Sequence, residues 1–374
     1  MQTPFGYERV VVSDTMRFTS SSGSISCVDP DHGRIYTTYL ASDVHYGESY
    51  DYIMLAIIPV CQPERFETVQ IAKSGTVENG IFINHLLDCN AVYIPDERRP
   101  YDAHTHFGIT TTQYWGVVRI TFLTDRTNMV YRDYDTQTGT LSPIQCCTTG
   151  DQYSGILTGV TLADYLTARV GDVNTQADQW EHIISTSKLY LHEGYYYGFF
   201  TTGASQPVCF RTKDAIKYEM LGYIPVVGEY ETQCAWLNGK LYAIVREAHG
   251  DSDFYISEDG GYTFKPAGKT GHRMQRPQIM EYNGKILIFS SHAGVLPNMA
   301  RDGRNNMHLY AGEGEFNAEN YKELLSFQDK YGIVYYDIVN YKNTLYMIYS
   351  SGELYIDKNP QAKDMLSLIK LGEF

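Results

Sequence analysis

Strand–turn–strand units recur every 45 residues in the second half of this 374-residue chain. From them the sequence predicts an all-β fold, a β-propeller of four-stranded blades. Two further observations point the same way. The stretch Phe254-Tyr-Ile-Ser-Glu-Asp-Gly-Gly-Tyr-Thr-Phe264 has the chemistry of a hairpin stabiliser. The composition, 14% aromatic with 33 Tyr and 32 Gly, suits strand surfaces and tight turns. Counting units gives seven blades, with six as the alternative, in one domain over residues 1–374 that carries an insertion at about 148–180.

The repeat is read from Gly194, Gly239 and Gly284, each after a polar residue and before an apolar, aromatic-rich run. Leu189 to Phe200, Ala235 to Val245 and Met280 to Phe289 therefore each read as strand, Asn-Gly-like turn, strand. Asp259 can accept N–H bonds within its own turn, Gly260 and Gly261 permit positive φ, and Phe264 plugs the turn onto the sheet. Asp214 lies 45 residues before Asp259 and marks a degenerate copy. Fourth strands follow over Glu219 to Val227 and Thr263 to Thr270.

The remaining units are looser. Asp337 to Ser351 repeats the strand pair after an insertion, Asn317 to Lys330, that reads as helical. Leu354 to Ile356 and Ser367 to Leu371 complete that blade, and Arg9 to Ser13 closes the ring from the other terminus, which removes exposed sheet edges. In the first half, Gly33 to Ala41, Tyr52 to Val60 and Phe66 to Ile71 form one blade. His106 to Thr112, Trp115 to Thr124 and Met129 to Asp135 form another. Ile81 to Ile94 either opens a blade of its own or decorates one. Residues 148–180 break the pattern, with a short helix over Leu162 to Val170; such an insertion serves binding or gating, or is decoration.

A net charge of −14 argues against nucleic acid or an anionic membrane as the main partner, since both reward clustered Lys and Arg. It leaves room for an acidic glycan in a locally basic cleft. The seven cysteines show no CxxC spacing and read mostly as buried free thiols. Met1 to Val10 has no signal-peptide pattern, and no apolar run approaches the roughly 20 residues of a membrane helix. The expected location is extracellular or periplasmic, reached with a signal outside this sequence, or on a virus particle.

Chemistry is sought where a unit departs from its own repeat. Arg246 stands where the register places Thr201 and Ser291, and Arg211 stands opposite Ile256. Arg276, in Arg276-Pro-Gln, heads an inner strand. A guanidinium in place of a small or apolar residue offers a fork for a carboxylate or sulfate, or else pairs with one of the 44 acidic side chains at the rim. His85, His104 and His106 are the second departure. Imidazole serves as general acid or base and binds Zn²⁺; His104 and His106 alternate onto one strand face, which fits a metal only where further ligands converge. The alternative for each is a structural strand histidine.

Ser257, Asp259, Gly261 and Phe264 resemble the Asp-box of sialidase-like β-propellers with BNR repeats. An Asn-His head at Asn84-His85, a second His about twenty residues on, a Tyr-rich hairpin and an Arg on the next strand are similar to propeller polysaccharide lyases of the ulvan-lyase type and their glycosidase relatives. That resemblance implies β-elimination beside a uronic acid. His106, in preference to His85, would take the C5 proton, Tyr195 would protonate the leaving oxygen, and Arg211 would face the carboxylate. Arg246, Arg276, Tyr197 and His104 would complete substrate binding. No cofactor is implied beyond a structural Ca²⁺ or Zn²⁺ ion. The chain departs from the lyase pattern at Leu86 and Leu87, and from true sialidases in lacking an Arg-Ile-Pro head. A sialidase-like hydrolase using Arg211, Arg246 and Arg276 as a carboxylate clamp is the alternative, as is a non-catalytic glycan-binding propeller.

Overall fold

The computed structural model describes residues 8–12, 18–20, 25–42, 51–106, 109–125, 127–150, 155–170, 183–185, 187–202, 206–226, 231–246, 250–292, 306–328, 333, 335–352 and 364–374. They form six antiparallel blades and one small hairpin. Blade 1 is Arg34–Ser42, Tyr52–Pro59 and Glu67–Lys73, with Phe18–Ser20 and Ser26–Asp29 sharing the inner edge. Blade 2 is Leu87–His106, Ile109–Thr124, Asn128–Asp135 and Gln145–Cys146. Blade 3 has Ile183–Ile184 and Tyr190–His192 inside, then Tyr195–Thr202, Val208–Thr212 and Lys217–Tyr223, with Thr148–Thr149 added in parallel outside. Blade 4 is Thr232–Leu237, Lys240–Val245, Asp253–Ser257 and Lys265–Lys269. Blade 5 is Met274–Tyr282, Lys285–His292, Asn306–Gly312 and Tyr321–Gln328. Blade 6 is Tyr335–Tyr341, Thr344–Gly352 and Asp364–Gly372, closed by Arg9–Val11.

Six blades, the alternative count, are therefore correct and seven are not. The extra blade does not form because the Ile81 to Ile94 run is cut by a turn in which His85 has φ 45°. Its first part pairs as the hairpin Thr76–Glu78 with Ile81–Ile83, and its second part enters the inner strand of blade 2. The insertion after Asn317 is also not helical. Asn317 Oδ1 accepts the Glu319 and Asn320 N–H groups at 2.9 Å each, making a turn that delivers Tyr321–Gln328 as an edge strand. The predicted helix of the other insertion is present as Gly159–Val170. The strand expected over Leu354 to Ile356 lies outside the described residues.

Packing explains why the strands read as unbroken apolar runs. Both faces of every blade are covered by the next blade, so alternate residues of one strand enter different cores. Ile53, Leu55 and Ile57 join the core between blades 1 and 2, whereas Met54, Ala56 and Ile58 join the core between blades 6 and 1. One apolar cluster fills each of the six interfaces. The repeat turns close as their sequence requires: Glu193-Gly194, Asn238-Gly239 and Asn283-Gly284 all have positive φ at both positions. In the Ser257 turn, Asp259 accepts the Thr263 N–H at 2.9 Å and its hydroxyl at 2.6 Å, and Phe264 packs 5.7 Å from Phe199. Asp214 likewise accepts the Ile216 and Lys217 N–H groups.

Inner strands begin and second strands end on one face of the ring, called upper here; the turns joining first to second strands define the lower face. The hairpin of Leu87–His106 and Ile109–Thr124 runs far past the lower face. It bends onto blade 1, where the His32 ring stacks 4.1 Å from Trp115 and lies 4.5 Å from Tyr101. Its base is held by a bidentate pair, Arg99 Nη1 and Nη2 to Asp135 at 2.8 and 3.0 Å. The Arg99 hydrogen bonds hold the Asp135 carboxyl at about 2, against the opposing effect of burial. Its unfolded value is about 3.9, so the pair stabilises the fold above about pH 4 and the contribution is lost as pH falls through the folded value. Asp135→Asn is therefore expected to show a smaller drop in urea midpoint than wild type between about pH 4.5 and 2.5. An unchanged pH dependence would contradict this role.

Candidate functional site

One position per blade heads the inner strands at the upper mouth of the ring. Glu231, Arg276 and Tyr335 each stand seven residues before the first turn residue of their hairpins, Asn238, Asn283 and Lys342. Rotation about the axis carries equivalent positions together, so three residues distant in sequence share one site. Arg246 joins them from the end of the second strand of blade 4, where its N–H donates to the Glu231 carbonyl at 3.0 Å.

Glu231 is the hub. Its Oε2 accepts Arg246 Nη1 at 2.9 Å and the Arg276 backbone N–H at 2.8 Å, while Oε1 lies 3.8 Å from Arg276 Nε. The Arg276 guanidinium sits 4.5 Å from the centroid of the Tyr335 ring. These groups are largely withdrawn from water, with side-chain exposures of 6% for Arg276, 10% for Glu231 and 18% for Arg246. Among the described residues, two guanidinium groups face the Glu231 carboxylate, in a protein of net charge −14. Each guanidinium carries five N–H donors, and the contacts to Glu231 described above engage only part of each fork.

Arg276 is aimed by a distorted backbone. Pairing between Met274–Tyr282 and Lys285–His292 shifts register between Gln275 and Gln278, and Arg276 has φ 48°. Pro277 follows and has no N–H to give the ladder. A left-handed arginine costs on the order of 1 kcal/mol or more and persists only where surroundings hold it.

Beneath the cluster the axis is bridged. Lys188 Nζ donates to Asp337 Oδ1 at 2.8 Å and to the Ile338 carbonyl at 2.6 Å. The Ser26 N–H donates to the other Asp337 oxygen. Below this bridge a cavity of about 360 Å³ follows the axis, lined by residues of all six blades, among them Cys27, Tyr93, Tyr196, Cys234, Gln278 and Val339.

The residues singled out from sequence fall into separate groups. Arg246 and Arg276 are brought together. Arg211 is not with them: it lies on the third strand of blade 3, directly opposite Glu219, and Nε pairs with that carboxylate at 2.8 Å. The Tyr195 ring lies 4.6 Å below the same guanidinium, at the lower turn, and Tyr197 is buried edge-on to Trp236. His85 is exposed in the upper turn before the inner strand of blade 2, and His106 is the last residue of that 20-residue strand. His85 and His106 thus occupy opposite ends of that strand. His104 and His106 pair with Thr111 and Ile109; their side chains lie outside the described residues. Among the described residues no group of three His, Cys, Asp or Glu side chains is placed to hold a metal ion. All seven cysteines are unbridged, four of them buried.

No protein-family model and no curated protein matches the sequence. Solved structures match over nearly the whole chain. Trypanosoma rangeli sialidase in complex with sialic acid superposes with TM-score 0.60 at 13% identity, covering 99% of this chain and 59% of that one. The fold is that of the sialidase propellers. The chain spans less than two thirds of the length of those trypanosomal enzymes. Phage phi92 endosialidase matches with TM-score 0.56 at 8% identity, over 98% of this chain and 69% of that one. A protein of unknown function from Dyadobacter fermentans matches with TM-score 0.57 at 12% identity, over 97% and 98%. The relation to lyase propellers expected from the histidines has no counterpart among these.

Glu231 and Tyr335 were not singled out from sequence, although the signal for one was present. Register partners of Glu231 at 45-residue spacing are Thr186 and Arg276, as unlike one another as those that flagged Arg246. Tyr335 was hidden because the insertion before it shifts the register.

Proposed function

We propose that the upper mouth of this propeller binds a carboxylated sugar of the sialic acid class and hydrolyses its glycosidic bond. The observation that carries the reading is the convergence of Arg246, Arg276, Glu231 and Tyr335 in one nearly buried cluster with an excess cation. Arg246 and Arg276 grip the carboxylate with the donors that Glu231 leaves over, fixing the adjacent anomeric carbon. Hydrolysis there develops an oxocarbenium-like centre, and sialidases meet it with a tyrosine nucleophile. Tyr335 supplies that oxygen as its proton passes to Glu231; the bond from the anomeric carbon to the aglycone breaks with the leaving oxygen protonated from solvent, and water then displaces the tyrosine oxygen, the proton on Glu231 returning to it. The partner is an acidic glycan, met outside the cell or on a virus particle.

The lyase reading needs a base, an acid and a carboxylate clamp around one uronate. Arg211 is instead committed to Glu219 and Tyr195, away from His85. The test is to incubate the protein with a fluorogenic sialoside and sialic acid polymers, alongside uronate polysaccharides monitored for ultraviolet-absorbing unsaturated ends. Sialoside release with a silent uronate panel is expected. Unsaturated product from any uronate polymer would refute the hydrolase in favour of the lyase.

A further inference from the structure

We infer that Tyr336, one residue beyond Tyr335 and buried in the core between blades 5 and 6, is a positioning residue that sets the aim of Arg276. The inference rests on the reading of the upper mouth as a carboxylate site and adds to it a residue that never touches ligand.

Three observations carry it. The left-handed conformation at Arg276 takes this residue out of the sheet ladder, so its N–H and C=O both need partners from elsewhere. Side chains of the flanking blades provide them. Glu231 of blade 4 accepts the N–H at 2.8 Å, and the Tyr336 hydroxyl of blade 6 donates to the C=O at 2.6 Å. The same hydroxyl lies 3.3 Å from the Gln275 carbonyl and 3.1 Å from that of Phe289, so it sits in a nest of three acceptors with one proton to give. The shortest contact goes to the distorted residue. Tyr336 is 1% exposed and cannot reach a ligand, while the residue before it lies under the Arg276 guanidinium. One dipeptide thus supplies both the ring beneath the arginine and the bond that keeps its backbone turned. A misplacement of about 1 Å in a clamp of this kind is enough to lower efficiency on the order of 100-fold.

Tyr336→Phe keeps the ring in the core and removes only the donor. Tyr282→Phe is the control: its hydroxyl donates to the Asn343 carbonyl at 2.6 Å, at the lower end of blade 5. Two readouts are needed, a crystal structure of each variant and calorimetric affinities for N-acetylneuraminic acid and its methyl ester. In Tyr336→Phe, residue 276 is expected to leave positive φ and its guanidinium to leave the Tyr335 ring. Affinity for the acid should fall roughly 10- to 100-fold while that for the ester is unchanged. Tyr282→Phe should alter neither. Retention of the Arg276 conformation in Tyr336→Phe, or an equal fall for acid and ester, overturns the inference. Should wild type not prefer the acid to the ester, the reading of the site fails, and the positioning role is then decided by the variant structure alone.

Discussion

Arg246→Met is expected to lower kcat/KM for a sialoside by roughly 100- to 1000-fold, the usual cost of removing one electrostatic donor from a preorganised site. The stem of Met fills the space of the arginine, and Glu231 keeps its contacts with Arg276, so the fold survives. Loss of one fork removes half of the clamp and the excess positive charge together. The loss should therefore fall on acidic substrates, with the binding of an esterified sugar spared. Steady-state kinetics on the sialoside with thermal melting of the same preparation check this. Near-wild-type turnover from a folded Arg246→Met protein would remove the arginine from the site.

Lys188→Met is expected to lower the melting temperature by about 4–6 °C, since removing one partner of a buried pair costs about 3–5 kcal/mol and a chain of this length unfolds with an entropy of about 0.8 kcal/mol/K. Asp337 is fully buried and has the Lys188 ammonium at 2.8 Å. Blades 3 and 6 face each other across a six-bladed ring, so this pair spans the axis, and the Ser26 N–H adds blade 1 to it. Without its cation the buried Asp337 carboxylate keeps the Ser26 and Ile338 N–H groups but loses its countercharge. The double variant Lys188→Met/Asp337→Leu should recover much of the loss, because an apolar replacement of a buried pair is often neutral. A single variant as stable as wild type would show that the bridge does not hold the ring.

What could be read from the chain followed from how local its cause was. The 45-residue repeat was legible because type I′ turns need φ above zero at two adjacent positions, and Asn-Gly pairs announce it. The Ser257 turn was legible for the same reason, since Asp259 bonds only to residues within four positions. The blade count was not, because the break at His85 is a non-glycine left-handed turn inside an apolar run. Asn317 to Lys330 has helix-forming spacing, yet tertiary pairing with Asn306–Gly312 made it an edge strand. In the upper cluster, departure from register had marked Arg246, and the Arg-Pro-Gln head of an inner strand had marked Arg276. It also flagged Arg211, whose Glu219 partner becomes visible only when strand pairing is known. The separation of His85 from His106 was not legible, because sequence spacing gives no indication of which end of the long blade 2 strand a histidine occupies.

The most direct test of the carboxylate site is a crystal of this protein soaked with N-acetylneuraminic acid. The carboxylate is expected between the guanidinium groups of Arg246 and Arg276, with the anomeric carbon facing Tyr335. A sugar bound instead at the lower face beside Arg211, or carboxylate contacts that avoid both arginines, would contradict the account.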